Sequence, residues 1–147
     1  MPLSLEEFIE SWIYKRRRKG RVHPRLLIPE EAEKAGLNIH AFELDSNEKP
    51  IMVYFGGKNA MRETYLFTTL GIRTISNTKL EGLIKYKDIE KSNLPDAVPK
   101  MEMAHLELSL INGRRIALPV SGKTDGYLDV FTVADFLNRL LRIANHQ

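Results

Sequence analysis

Apolar positions recur with a helical period at the two ends of the chain and with a strand period between them. Near the N-terminus, Leu5, Phe8, Ile9, Trp12 and Ile13 fall on one face at the spacing of an α-helix, which predicts a helix over 4–19. Ser4 and Glu7 make an S-x-x-E capping box there, and Leu3 and Phe8 stand where a hydrophobic staple closes. Glu6, Glu7 and Glu10 lie near the positive end of the helix dipole and the bases of 15–19 near its negative end. Gly20 is placed to stop it. A second helix is expected from Pro29, a favoured first-turn residue, through "PEEAEKAG" to Gly36. After it, "LNIHAFELD" alternates as a short strand does, and "DSNEKP" has the composition of a loop.

From Pro50 the period changes to two. "IMVYF" leads into the turn "GGKNA", and "ETYLFTTLGIRTIS" is long enough for one strand kinked at Gly71 or for two strands meeting there. In "EGLIKYKDIEKS", Leu83, Lys85 and Lys87 alternate with Ile84, Tyr86 and Asp88, the pattern of a strand with one wet face. "NLPDAVPK" is a loop. "MEMAHLELSLI" sets Met101, Met103, His105, Glu107 and Ser109 against Glu102, Ala104, Leu106, Leu108 and Leu110. Asn112-Gly113 is a two-residue hairpin signal, and "RRIALPV" returns as the partner strand. "SGKTDG" is a loop. A last helix is expected over about 128–144, with Val130, Val133, Ala134, Leu137, Leu140, Leu141 and Ala144 as its apolar stripe, widened by Phe131 and Phe136.

Two N-terminal helices, about six or seven mostly antiparallel strands and one amphipathic helix make an α+β chain, because strands and helices are segregated. On "PIMVYFGG", "YLFTTLGIRTIS", "LIKYKDIEKS", the Asn112-Gly113 hairpin and "LDVFTVADFLNRLLRI", residues 50–144 resemble the pleckstrin-homology-like (PH-like) fold in its bacterial form. The resemblance implies a bent antiparallel sheet or barrel closed by the C-terminal helix, with 1–49 as an added helical extension. It implies a binding or assembly module. Members that bind phosphoinositides use bases on the first hairpin; in "GGKNAMRETY", Lys58 and Arg62 match the first two of those positions and Thr64 stands at the third. Fold analogy does not fix function.

A chain of 147 residues with no cysteine is expected to be a single domain, 1–147, with a core that needs no disulfide and no thiolate metal site. No apolar run is long enough for a membrane span, and acids precede bases at the N-terminus, the reverse of a secretory signal. A cytoplasmic chain is expected, with a peripheral membrane contact as one version. The chemistry-bearing motifs are sparse. "GKT" at 122–124 imitates the end of a phosphate-binding loop, but Ala117 stands where the motif needs its first Gly. His23, His40, His105 and His146 form no close ligand pair, and His105 with Glu107 on one strand face is most simply a solvated pair. Glu30, Glu31 and Glu33, like Glu6, Glu7 and Glu10, suit first helical turns, and Asp125 and Asp129 precede or open the last helix. No G-x-S-x-G elbow or nucleophile–base pair occurs, so no catalysis, cofactor or metal is expected.

What stands out is "WIYKRRRKGRVHPRLLIP". Seven Lys or Arg fall between positions 15 and 25, leaving 15 bases against 19 acids in the rest of a chain whose net charge is +3. A helix C-terminus favours one or two bases, whereas seven so close repel one another unless acids of the same chain or an anionic partner relieve them. The anion-binding candidates are Arg16, Arg17, Arg18, Lys19, Arg21 and Arg25, with Lys58 and Arg62 added. The expected function is non-catalytic binding to an acidic protein or an anionic membrane surface. Nucleic-acid binding through the same patch is the alternative, although Trp12 and Tyr14 are the only aromatic neighbours for stacking. A small enzyme with dispersed site residues is a further class. Trp12 on its apolar stripe packs in a core, enters a membrane interface, or meets a partner, a second copy of the chain included.

Overall fold

Strand-period sequence pairs with its chain neighbours, and here it does so in two antiparallel sheets followed by one long helix. A computed structural model of the chain describes residues 4, 5, 7, 8, 11, 26–54, 64–76, 79–93, 103–121 and 129–145. The first sheet is ordered β1 (Leu26–Leu27), β2 (Pro50–Tyr54), β3 (Thr64–Thr68), β4 (Gly71–Ser76) and β5 (Lys79–Lys85). The second is β6 (Ile89–Asn93), β7 (Met103–Leu110) and β8 (Arg115–Ser121). Among the described residues, the helices with both ends defined are α1 (Pro29–Lys34) and α2 (Asp129–Asn145). The α+β class and the closing helix are as expected, and seven described strands follow residue 50.

The main core lies between the sheets and α2. Tyr54, Tyr65, Phe67 and Ile72 from the first sheet meet Leu106, Leu108 and Leu118 from the second and Val133, Phe136, Leu137 and Leu140 from the helix. Phe67 meets Phe136 edge-on with centroids 5.1 Å apart, a favourable aromatic geometry. The expected stripe of α2 is the buried one from Val133 to Leu141, with Ala144 partly buried at its end. The side chains of Val130 and Phe131 lie outside the description. In β7, Leu106, Leu108 and Leu110 are buried while Glu107 and Ser109 are half-exposed, as the alternation requires.

A second cluster covers the opposite face of the five-stranded sheet. Val53, Leu66 and Ile75 point outward there and are capped by Ala32 of α1 and by Leu37 and Ile39. This explains why β3 is buried at every position, although its side chains alternate between faces. The segment 26–49 is thus part of the folded body. Helical backbone is also present at Leu5, Glu7, Phe8 and Ser11. Ser4 Oγ accepts from the Glu7 N–H at 3.0 Å, the cap that the S-x-x-E pattern predicts. Phe8 is buried in the main core, its ring stacked on Phe136 at 6.4 Å. The remainder of the predicted helix over 4–19, with Trp12, lies outside the described residues.

Three local expectations change, and at Gly71 one of the two expected alternatives holds. Residues 37–44 form no strand: a 3-10 turn at Ile39–Ala41 carries the chain across the outer sheet face, where Leu37 and Ile39 pack by side chain instead of pairing by backbone. "ETYLFTTLGIRTIS" is two strands, and Gly71 is where they must approach the next one: a Cβ there would collide with the Ile84 carbonyl oxygen and stand 2.8 Å from Lys85 Cα. "EGLIKYKDIEKS" is not one strand. A 3-10 turn at Tyr86–Asp88 buries Tyr86 and passes the chain from the first sheet to the second. The Asn112-Gly113 hairpin has a three-residue loop, 111–113, because Gly113 N–H donates to the Leu110 carbonyl at 3.0 Å and Gly113 sits at φ 86. As predicted, α1 starts at Pro29, and Gly36 follows it at φ 105.

Candidate functional site

Arg73 is the one charged residue in the apolar strand "GIRTIS", and β4 turns it to the outer sheet face under the segment 45–49. A guanidinium held there needs an anion. Glu48 supplies it: Arg73 Nε donates to Glu48 Oε2 at 2.9 Å and Nη2 to Oε1 at 2.7 Å, a bidentate pair. The Glu48 side chain has 0% exposure and that of Arg73 15%. Thr68 Oγ1 donates to Glu48 Oε2 at 2.6 Å, and the Asp45 N–H to Oε1 at 3.2 Å, so the carboxylate is saturated. Thr68 Oγ1 in turn accepts from the N–H groups of Leu70 and Gly71, which fixes the β3–β4 turn. Asp45 adds a longer contact to Arg73 at 3.8 Å.

Burial alone would push the Glu48 carboxyl up; the bonds from Arg73, Thr68 and the Asp45 backbone, with the charge of Arg73, outweigh it and hold the group below its ordinary 4.5. The bond from Glu48 likewise raises Arg73, against its desolvation. Tyr86 lies close by, with its hydroxyl donating to the Thr68 carbonyl at 2.7 Å. Burial, helped by the negative charge of Glu48, holds its phenol well above the usual 10.0. A carboxylate without solvent access and a phenol bonded inward fasten this part of the fold.

Beside this network a cleft of about 440 Å³ opens between the segment 45–47, the 3-10 turn and the C-terminal end of α2. Asp45, Asn47, Lys85, Tyr86, Lys87 and Asn145 are among its lining residues. Its walls are mainly surface groups; Tyr86 is the buried polar residue, and its hydroxyl is directed at Thr68. Asn145 Nδ2 donates to the Tyr86 carbonyl at 3.3 Å and ties the helix end to the turn.

The eight anion-binding candidates, Arg16, Arg17, Arg18, Lys19, Arg21, Arg25, Lys58 and Arg62, all lie outside the described residues. So do His23, His146, Asp125 and the "GKT" of 122–124. His40 is on the surface with Nε2 2.8 Å from Glu33 Oε1, and Glu107 pairs with Arg115 at 3.4 Å. Glu31 Oε1 accepts from the Ile28 N–H, a capping role for that acid. Among the described residues no group of His, Asp or Glu is arranged to hold a metal ion, and no helix is long and apolar enough to cross a membrane. The Glu48–Arg73 pair was missed at the level of sequence because "DSNEKP" has the composition of a simple loop. The available signal was the lone arginine in an apolar strand.

Comparison with family models, with curated proteins and with solved structures gives no match for the chain.

Proposed function

We propose that this chain is a non-catalytic binding or assembly module of PH-like type, with two N-terminal helices added to its core, whose basic segment 15–25 contacts an anionic partner. The observation that carries this is the crowding of seven Lys and Arg into that segment while acids exceed bases elsewhere. Like charges at such spacing repel, and a partner rich in phosphate or carboxylate relieves the repulsion. The PH-like part of the proposal draws support from the order of elements after residue 50: seven antiparallel strands, then one amphipathic helix packed over the core. The non-catalytic part draws support from Glu48, Arg73 and Tyr86, whose polar groups are engaged with one another and with the fold. The protein then works in the cytoplasm and meets a membrane only at its surface.

Co-sedimentation with vesicles tests the membrane version. The wild type is expected to pellet with phosphatidylserine vesicles and not with pure phosphatidylcholine, and a variant with Arg16, Arg17 and Arg18 changed to Ser is expected to stay in solution. Equal binding to both lipids would sink the electrostatic contact. DNA binding with a steep salt slope would instead assign the segment to nucleic acid. Failure on both, with capture by an acidic protein, would leave the protein-partner version.

A further inference from the structure

We infer that Asn112 is a chemical modification site, a self-deamidating asparagine that the folded β7–β8 hairpin holds unreacted and that opening of the hairpin releases. Asn112 is the one asparagine of the chain followed by glycine. The reaction needs no partner but water. The Gly113 amide nitrogen, once deprotonated, attacks the Asn112 side-chain carbon Cγ. The new N–Cγ bond closes a cyclic imide, and the side-chain nitrogen takes up a proton and leaves as ammonia. Water then opens either carbonyl of the imide. Opening at Cγ leaves aspartate, and opening at the main-chain carbonyl leaves isoaspartate, whose backbone runs through Cβ. Glycine at the attacking position presents no side chain against the approach. Asn112 and Gly113 are both exposed, so water and hydroxide reach them.

The geometry of the loop opposes the first step. Gly113 N–H donates to the Leu110 carbonyl at 3.0 Å, so removing its proton would set a negative nitrogen against a carbonyl oxygen. Asn112 Oδ1 accepts from the Arg114 N–H at 2.9 Å, an Asx turn that fixes the side chain relative to the main chain. Ring closure requires rotation of the Asn112 side chain and backbone, and both contacts break in that rotation. Both flanks of the loop are also tied. Leu110 N–H donates to the Arg114 carbonyl at 2.8 Å, and Ile111 N–H to the Asp88 carbonyl at 3.0 Å. The second of these bonds joins the loop to the turn that passes the chain between the sheets. Reaction therefore proceeds from the locally opened hairpin, and its rate follows the population of that state. Each bond that must break lowers this population by up to about tenfold. Isoaspartate lengthens the main chain between Leu110 and Arg114, so the loop bonds lose their spacing. Either product turns a neutral amide into a carboxylate and lowers the net charge of +3 by one.

The test incubates the full chain at mildly alkaline pH, folded in buffer and unfolded in guanidinium chloride. Digestion at acid pH and peptide mapping by mass spectrometry follow, with isoaspartate resolved by chromatography. Conversion at Asn112 is expected to lead that at all other asparagines in the unfolded chain, and to run at least about tenfold slower in the folded one. Asn112→Gln is expected to remove the conversion in both states, because its longer side chain does not close the same ring. Amide exchange at Gly113, measured in guanidinium below the unfolding transition, is expected to rise together with the conversion rate. Equal rates in the folded and unfolded chain overturn protection by the hairpin. A folded-state rate that tracks global unfolding, and not Gly113 exchange, overturns local opening as the route. No conversion at Asn112 in the unfolded chain overturns the site itself.

Discussion

Two glycines show how differently single residues can be constrained in this fold. Gly71 has no room for a side chain: a Cβ would strike the Ile84 carbonyl, a backbone atom fixed in the β4–β5 ladder. Gly113 has open space around it but a φ of 86, which costs any other residue backbone strain. Gly71→Ala is therefore expected to destabilise by about 3 kcal/mol, because the strands must part. Gly113→Ala is expected to cost only about 1 kcal/mol. Urea denaturation of the two variants measures both, and equal losses would show that the β4–β5 approach is softer than its geometry indicates. The Gly71 requirement could be suspected from "TTLGIRT", where a glycine divides two strand-like runs. The identity of the colliding atom could not, since Ile84 reaches it only through the sheet register.

At the scale of elements, α2 follows directly from its pattern: a 17-residue helix whose apolar stripe faces both sheets. The N-terminal elements follow less directly. Ser4 caps its helix as its local sequence requires, but that Phe8 packs on Phe136 depends on where α2 ends up. The stretch 37–44 alternates like a strand, yet a 3-10 turn at Ile39–Ala41 sets Leu37 and Ile39 against the outer sheet face. These placements predict graded losses. Leu137→Ala, at a fully buried site touching the main core, is expected to cost about 3–4 kcal/mol. Phe8→Ala is expected to cost about 2–3 kcal/mol, since Phe8 lies at the margin of that core. Thermal melts followed by circular dichroism would check the order; a neutral Phe8→Ala would mean that the first helix is not held by its aromatic contact.

For the whole molecule, Glu48 and Tyr86 set opposite limits on stability. The Glu48 carboxyl is depressed when folded, so its stabilisation is present above the ordinary carboxylate value of 4.5 and is lost as pH falls through the folded value. The Tyr86 phenol is raised when folded, so the native state holds full stability below 10.0 and loses it as pH rises beyond. Glu48→Ala leaves Arg73 without its counter-charge and is expected to cost about 3–5 kcal/mol at neutral pH. Glu48→Gln keeps the shape and an acceptor oxygen, and is expected to lose less while flattening the stability profile below pH 4.5. Denaturant midpoints across pH check this. An unchanged acid limb in Glu48→Gln would show that other carboxyls govern it.

What the sequence determined by itself was everything governed by near neighbours: the Ser4 cap, the Pro29 start of α1, the alternation of β7, the stripe of α2 and the concentration of charge in 15–25. Capping, periodicity and charge spacing act within a few residues, so they can be seen in a linear string. The tertiary structure decided the second apolar cluster under α1, the partition of strands into five and three, the Glu48–Arg73 pair across 25 positions and the shared sheet end of Leu26 and Tyr54. Each of these depends on which distant segments are brought together, and chain periodicity carries no record of that choice. A buried charge finds its partner, and an apolar face its cover, only once register and packing have fixed the distances.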